Sequence, residues 1–565
     1  MRLQPIFDIA AICYAKGIRD AIVCPGSRCA PLTLSFVQHP GIQTRTISDE
    51  RSAGFIALGI AQQTRRTVVL ICTSGTAAYN FAPAVAEAFY QRIPLLVLTA
   101  DRPVEWIGQW DGQTISQQNI YGNHVLRSYQ LPQEYDHPDS KWSIQRIVNE
   151  AINISQDDTQ GPVHVNVPLR EPLYSDTISF SDDIRIIEKV RAKQTISPKA
   201  LPSLDSFKRI LVVGGQGRLD VDLIAAVNAF VAAGNIAVVG DIISNLHPIP
   251  NAIKYCDTFL PAIDDDTKAT LRPDLLITIG QSVISKNLKL FLRSFKPDVH
   301  WHVDEIAQEI VDPFQSITLQ IQTSPESFFA TLASTLQVSE DRKQYFQRWL
   351  DLDRKALSTI HSFFDETSSG EFSFVNHVLK NIPDHTNLHL SNSMSVRYAN
   401  FCGLAENKKG VQVYSNRGTS GIDGCTSTVV GHTISSSSLH TLITGDVAFF
   451  YDRNAFWNNY IPPNLRIIVL NNHGGVIFGI IDGPGSTPGA DEYFVTRQPL
   501  TAKHIAAEFN LDYRSISDTG NVSAALDDFF KIDGRAKILE FESGSKEAKG
   551  LFLRFKEKVK NSYAT

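Results

Sequence analysis

No two of the seven cysteines are spaced Cys-x-x-Cys, and their odd number is scattered along 565 residues. Neither a disulfide framework nor a zinc ribbon is expected, and a reducing compartment is. No apolar run approaches the roughly 20 residues a spanning helix needs; the longest, such as 93–100, fall far short, and Asp8 interrupts the only N-terminal stretch that could imitate a signal peptide. A cytoplasmic protein without membrane insertion is the expectation. Gly-Lys-Ser/Thr, His-Glu-x-x-His and Gly-x-Ser-x-Gly are all missing, which removes the P-loop, the zincin helix and the nucleophile elbow. An excess of one charge is missing too: 53 Lys+Arg against 59 Asp+Glu leave a net charge of −6, too slight and too well mixed for a nucleic-acid partner.

What is present is globular composition, 43% hydrophobic and 20% charged with 34 Gly and 27 Pro, in a chain too long for one domain. Short β-rich apolar runs alternate with amphipathic stretches, the pattern of βαβ units and parallel sheets. We read an α/β protein of three doubly wound parallel-sheet domains, at 1–180, 200–345 and 365–565. A polar, Pro-punctuated linker at 175–206 precedes the second, whose strands are RILVVGG (209–215), IAVVGD (236–241), PDLLITIG (273–280) and VHWHVDE (299–305). A charged helical stretch over 340–364 leads to the third. GGQGR (214–218) imitates a dinucleotide loop, but Asp220 occupies the position of its last glycine, so a turn without ligand is expected.

The first and third domains follow one plan. VVLICTSGT (68–76), a helical stretch and RIPLLVLTADRP (92–103) are matched by HTLITGDVAFFYD (440–452), a helical stretch and LRIIVLNNHGG (465–475). Thr73 to Leu98 is 25 positions and Thr444 to Leu470 is 26. Upstream, 44–61 parallels 412–433, each a strand, a polar loop and a helix with small residues.

In the third domain one strand ends in Gly445-Asp446 and, 26 positions after Asp446, another ends in Asn471-Asn472 before His473-Gly474-Gly475. Parallel strands bring both ends to the carboxyl edge, where ligands bind. A carboxylate, an amide oxygen and a backbone carbonyl are hard ligands suited to Mg²⁺ completed by phosphate and water, and the glycines admit a phosphate to the backbone. Taken alone, the pair also reads as two strand-end turns.

With a Gly-rich loop before it, this spacing resembles the metal-diphosphate motif of thiamine diphosphate enzymes, whose pyrimidine-binding and diphosphate-binding domains are similar α/β folds flanking a central Rossmann-like domain. CPGSRCAPLTLSF (24–36), SDERSAGFIALGIA (48–61), TSGTAAYNFAPAVAEA (73–88), LTADRP (98–103), SNSMSVRYAN (391–400), SNRGTSGIDG (415–424) and NNHGGVIF (471–478) together resemble the 2-succinyl-5-enolpyruvyl-6-hydroxy-3-cyclohexene-1-carboxylate synthases of menaquinone biosynthesis. The resemblance covers both outer domains and is loose in the central one. It departs at Val447, where many relatives of the wider superfamily have glycine, and at His473, where a third Asn is expected.

The resemblance implies a transferase that decarboxylates 2-oxoglutarate and adds the succinyl carbanion 1,4 to isochorismate. Glu50 would hydrogen-bond the aminopyrimidine; Asp446, Asn472 and the Gly474 carbonyl would hold Mg²⁺, with Mn²⁺ as a substitute. Gly445, Ile477 and Phe478 would line the cofactor, and Ile422 would prop it in its bent form. Ser27, Arg28, Arg102, Gln113, Ser393, Arg397, Arg417 and, in the central domain, Lys286 would contact the substrates, with Lys289 the alternative to Lys286. Arginine suits dicarboxylates through its bidentate fork. The family plan also implies a homodimer or homotetramer whose sites take Glu50 and Asp446 from different copies, and the Gly/Pro-rich stretch 482–492 is expected to close over the site. An acetolactate-type decarboxylase shares Glu50 and the metal motif and is separated only by the arginines; a binding protein that lost turnover would have no need of Glu50.

Overall fold

The computed structural model describes residues 3–564 except 176, 191–195, 307, 308, 368, 482, 484, 486, 519 and 521. Among them the strands form three sheets. The first holds β1 (Asp20–Val23), β2 (Gln43–Thr46), β3 (Val68–Cys72), β4 (Leu95–Asp101), β5 (Arg127–Gln130) and β6 (Pro162–Pro168) in the order β2-β1-β3-β4-β6-β5. Its pairings are parallel. Sequence sets each strand's place: VVLIC is apolar throughout and LLVLTAD apolar up to Thr99, and both are buried on both faces, whereas QTRT and RSYQ are polar and partly exposed at the two edges.

The second sheet, β7 (Ile210–Gly214), β8 (Ala237–Gly240), β9 (Leu275–Ile279), β10 (Val299–Asp304) and β11 (Leu319–Gln322), has the order β11-β10-β9-β7-β8, a doubly wound arrangement. The third, β12 (Asn387–Leu390), β13 (Gln412–Tyr414), β14 (His440–Gly445), β15 (Leu465–Asn471), β16 (Asp512–Ile516) and β17 (Lys537–Glu542), has the order β13-β12-β14-β15-β17-β16. That is the first sheet's order strand for strand, so the repeat read from spacing is a repeat of topology.

The chain packs as two compact units, Met1–Arg191 with Asn416–Ser437 and Ala448–Leu465, and Ala192–Ser415 with Ser438–Val447 and Arg466–Thr565. In the first unit, helix Glu50–Thr64 crosses helix Cys425–Ile434 where both have glycine. A Cβ on Gly59 would run into the Thr428 carbonyl and one on Gly431 into that of Ile56, so the small residues set how closely the backbones approach. His432 is held there by Gln62 and Gln63 at 2.9 and 3.0 Å. Part of the expected linker lies on the first domain's core: Ile178, Phe180, Ile184 and Ile186 pack against it, and Asn149 hydrogen-bonds the backbone of Arg185 and Ile187 at 2.8 Å. Residues 176 and 191–195 of that stretch lie outside the described residues.

In the second unit the central and third sheets share one hydrophobic cluster. Helix Glu340–Glu366 ties them: Trp349 stacks edge-on against Phe259 and Phe291, and Phe363 against Phe555. Turns of the central domain hold β13 and the residue after it. Gln216 of the GGQGR turn donates to the Ser415 carbonyl at 2.9 Å, and Asn245 pairs with both backbone groups of Val413 at 2.8 and 2.9 Å.

Among the described residues no helix is long and apolar enough to cross a membrane, and no disulfide joins any of the seven buried cysteines.

Candidate active site

The first unit carries Ser27, Arg28, Glu50 and Arg102 in the segments that follow its parallel strands β1, β2 and β4. Asp49 caps helix Glu50–Thr64 by accepting the Ser52 N–H at 3.1 Å, which puts Glu50 in the first helical turn, where the backbone favours a negative charge. Asn80 reaches the Glu50 carboxylate at 3.4 Å. Burial pushes the Cys24 and Cys72 thiols well up, and the charge of Glu50 adds to both; the carboxylate therefore lies near the ends of β1 and β3. Its neighbours are clamped: Asp49 also accepts from Asn454 at 2.7 Å, and Arg51 donates to the Tyr451 carbonyl at 2.8 Å while lying over that ring.

After β1, Arg28 is 6% exposed and donates to the Leu169 carbonyl at 3.0 Å and to Glu171 at 3.3 Å. Burial first, and then the neighbouring Arg102 guanidinium, lower its pKa. Arg102, following β4, donates to the Gly112 carbonyl at 2.9 Å and faces Asp111 at 3.6 Å. The two guanidiniums are near enough on this strand-end edge to repel each other, and each faces a carboxylate, Glu171 or Asp111. Ser27 and Gln113 are exposed beside the two arginines, and the Gln113 backbone, at φ 58°, lies against Gly75 in the turn after β3. Gln117, which sequence reasoning missed, fastens this turn: it accepts the Gly75 N–H at 2.9 Å and donates to the Ala100 carbonyl at 3.1 Å.

Arg417 and Ile422 belong to the same unit, on a loop anchored by another missed residue. Glu87, 1% exposed, accepts the N–H groups of Gly418 and Thr419 at 2.9 and 2.7 Å. Its position on the apolar face of helix Ala82–Gln91, among Ala84, Val85 and Ala88, was the available signal: a carboxylate there must find donors.

The second unit holds the metal motif. Asp446 heads a short helix at the end of β14 and is 2% exposed; burial raises its pKa to about 6. Gln498 donates to its Oδ2 at 2.6 Å and to Asn471 at 3.2 Å, and the Gly474 N–H also points to it. Asn472, 5% exposed, donates to Glu371 at 2.9 Å, while its Oδ1 is buried without a hydrogen-bond partner. Such an orphaned acceptor beside a buried carboxylate is costly unless a cation completes it, so the donor set fits a hard divalent metal. The Gly474 carbonyl accepts the Val476 N–H at 3.0 Å and keeps a second lone pair. Gly445 has open space around its Cβ position. His473 takes φ 60°, the left-handed turn that the expected Asn would also adopt, and its N–H bonds the Asn471 side chain at 3.2 Å.

At the end of β12, Ser393 sits at φ 73° and ψ −130° before helix Met394–Cys402, and Arg397 donates to its carbonyl at 2.6 Å. The structure thus joins these two residues and stores backbone strain at a candidate contact. Lys286 is exposed at the start of helix Lys286–Ser294, whereas Lys289 donates to the Val283 carbonyl at 2.9 Å, which favours Lys286 as the available cation. Ile477 packs against the core and Phe478 is 37% exposed, tilted against Phe494. Within 482–492, positions 482, 484 and 486 lie outside the described residues.

Two sheets of one topology, flanking a third along the chain, with Glu50 on one sheet edge and Asp446 on the other, define a thiamine diphosphate-dependent enzyme. A family model described as "Thiamine pyrophosphate enzyme, N-terminal TPP binding domain" matches residues 7–120, and one described as "Middle domain of thiamine pyrophosphate" matches 184–390. Relatives named 2-succinyl-5-enolpyruvyl-6-hydroxy-3-cyclohexene-1-carboxylate synthase align over nearly the full length. That of Cytophaga hutchinsonii is 44% identical over 99% of this chain and 100% of its own. Those of Flavobacterium psychrophilum and Porphyromonas gingivalis are each 37% identical, over 92% and 94% of this chain and 92% of their own. The chain belongs to this synthase family.

Proposed function

We propose that the protein joins 2-oxoglutarate to isochorismate. 2-Oxoglutarate loses carbon dioxide, and its succinyl unit adds 1,4 to isochorismate, giving 2-succinyl-5-enolpyruvyl-6-hydroxy-3-cyclohexene-1-carboxylate in cytoplasmic menaquinone biosynthesis. The observation that carries this reading is the Arg28 and Arg102 pair on the edge that also bears Glu50. Two adjacent guanidiniums answer a dicarboxylate, and one would serve pyruvate.

Thiamine diphosphate, when bound, supplies the carbanion chemistry that no side chain provides. Asp446 through Oδ1, Asn472 through Oδ1 and the Gly474 carbonyl hold Mg²⁺, for which Mn²⁺ substitutes. Glu50 hydrogen-bonds the aminopyrimidine and holds or releases a proton at its carboxylate. Arg28 and Arg102, with Ser27 and Gln113 beside them, bind substrate carboxylates; Arg397 with Ser393, Arg417 and Lys286 add further contacts. Ile422 supports the cofactor's shape, and Ile477 and Phe478 exclude water from it. The active form is a homodimer or homotetramer in which Glu50 of one copy serves the metal motif of another.

The test is carbon dioxide release and 2-oxoglutarate consumption with thiamine diphosphate and Mg²⁺, with and without isochorismate. Consumption that depends on isochorismate is expected. Turnover of pyruvate with 2-oxoglutarate untouched would move the function to the acetolactate type, and silence with both would make this a binding protein.

A further inference from the structure

We propose that Glu371 is a positioning residue that turns the Asn472 side chain oxygen-outward and thereby makes it a metal ligand. The inference rests on the reading that Asp446 and Asn472 hold a divalent cation. The two ends of a carboxamide are nearly the same shape, so the partner at one end decides which atom the other presents. Glu371 is 0% exposed, at the first position of helix Glu371–Asn381. Its Oε1 accepts the Tyr398 O–H at 2.7 Å and its Oε2 accepts the Asn472 Nδ2–H at 2.9 Å. With the Tyr398 O–H donated to Oε1, the ionised carboxylate offers Asn472 only acceptor lone pairs. The amide must give it the NH₂ end, which leaves Oδ1 buried and unpartnered on the other side.

The first turn of a helix favours an acidic residue, but an exposed one gains that without desolvation, whereas Glu371 is fully buried. Glu371 shares its face with Phe374, Val375 and Val378, all 0% exposed, and an apolar residue would complete that stripe at lower desolvation cost. The carboxylate sits there with Tyr398 and Asn472 as its side-chain hydrogen-bond partners. Partners of this kind behind a ligand commonly change metal affinity by about 10–100-fold.

The experiment measures Mn²⁺ binding by electron paramagnetic resonance in the presence of thiamine diphosphate, together with the unfolding midpoint of the metal-free protein. In Glu371→Gln, Tyr398 keeps its O–H on the new amide's oxygen, the new NH₂ faces Asn472, and the asparagine turns. Mn²⁺ affinity is expected to fall about tenfold or more with the metal-free midpoint unchanged. Adding Tyr398→Phe frees the new amide to turn its oxygen toward Asn472, and most of the lost affinity returns; loss of negative charge alone would give no such recovery. Wild-type affinity in Glu371→Gln, or no recovery in the double variant, overturns the proposal. Should Glu371→Gln fail to fold, Glu371→Leu removes the acceptor in keeping with the apolar stripe and is expected to weaken Mn²⁺ binding; unchanged affinity there overturns it equally. Asn472→Ala separates the two readings: if it binds Mn²⁺ as wild type does, the metal-ligand assignment fails whatever Glu371→Gln shows.

Discussion

Glu87 takes the Thr419 N–H on one carboxylate oxygen at 2.7 Å while its other oxygen takes that of Gly418 at 2.9 Å. The loop bearing Arg417 is thus held by its backbone. Removing the carboxylate strands two N–H groups, each costing about 1–3 kcal/mol when buried. Glu87→Ala is expected to lower the unfolding midpoint and to raise KM for the substrate that Arg417 binds, with Glu87→Gln intermediate because its amide oxygen can still accept one of the two. Steady-state kinetics beside calorimetry check this; an unchanged KM in a folded Glu87→Ala protein would remove the loop from substrate binding.

If the sites are shared between copies, Glu50→Gln and Asp446→Ala chains are each inactive alone. Glu50→Gln keeps cofactor binding and loses proton exchange at the thiazolium C2, read by deuterium incorporation. Co-expressed, the two variants form mixed dimers in which one site carries both changes and the other neither, restoring about a quarter of wild-type activity. No restoration in mixed dimers verified by mass spectrometry would place Glu50 and Asp446 of each site in one copy.

The crossing of helices Glu50–Thr64 and Cys425–Ile434 leaves no space for a methyl group at Gly59 or Gly431. Either glycine replaced by alanine gains helix propensity and loses the close approach. The clash wins, with a net cost of about 1–3 kcal/mol or more, read as a lowered denaturant midpoint. A stabilised Gly59→Ala would mean that the helices separate without penalty.

Asp353 is buried and accepts the N–H groups of Lys254 and Tyr255 at 3.0 and 2.7 Å on one oxygen. Burial raises its pKa from 3.8 to about 7. A carboxyl group raised in the folded state binds its proton more tightly there than in the unfolded chain. Its contribution to stability is therefore fullest below pH ~4 and declines as pH rises toward 7. Asp353→Asn keeps the accepting oxygen and removes the titration. Relative to wild type the variant should gain stability between pH 5 and pH 8, by an amount on the order of 3 kcal/mol, measured as the difference in unfolding free energy at the two values. Parallel pH profiles for the two proteins would show that Asp353 keeps one charge state throughout.

The three-sheet α/β plan was legible along the chain, since strand, edge and turn are local properties. VVLIC reads as a buried strand and QTRT as an edge without reference to anything distant. Asp446 and Asn472 were legible for the same reason: each stands where an apolar run stops, and parallel strands carry such stops to one edge, whereas Glu50, after the polar edge strand QTRT, was expected only from the family resemblance. The repeat between outer sheets was visible as spacing and became a shared strand order in three dimensions.

Tertiary structure alone decided which polar side chains hold those residues in place. Glu87 meets Thr419 across 332 positions, Glu371 meets Asn472 across 101, and Gln498 meets Asp446 across 52. Sequence marks Glu87 and Glu371 as polar groups on apolar helical faces, which establishes that each needs a partner. It does not name the partner, because a buried carboxylate is satisfied by any donor of suitable geometry, and folding determines which donor arrives.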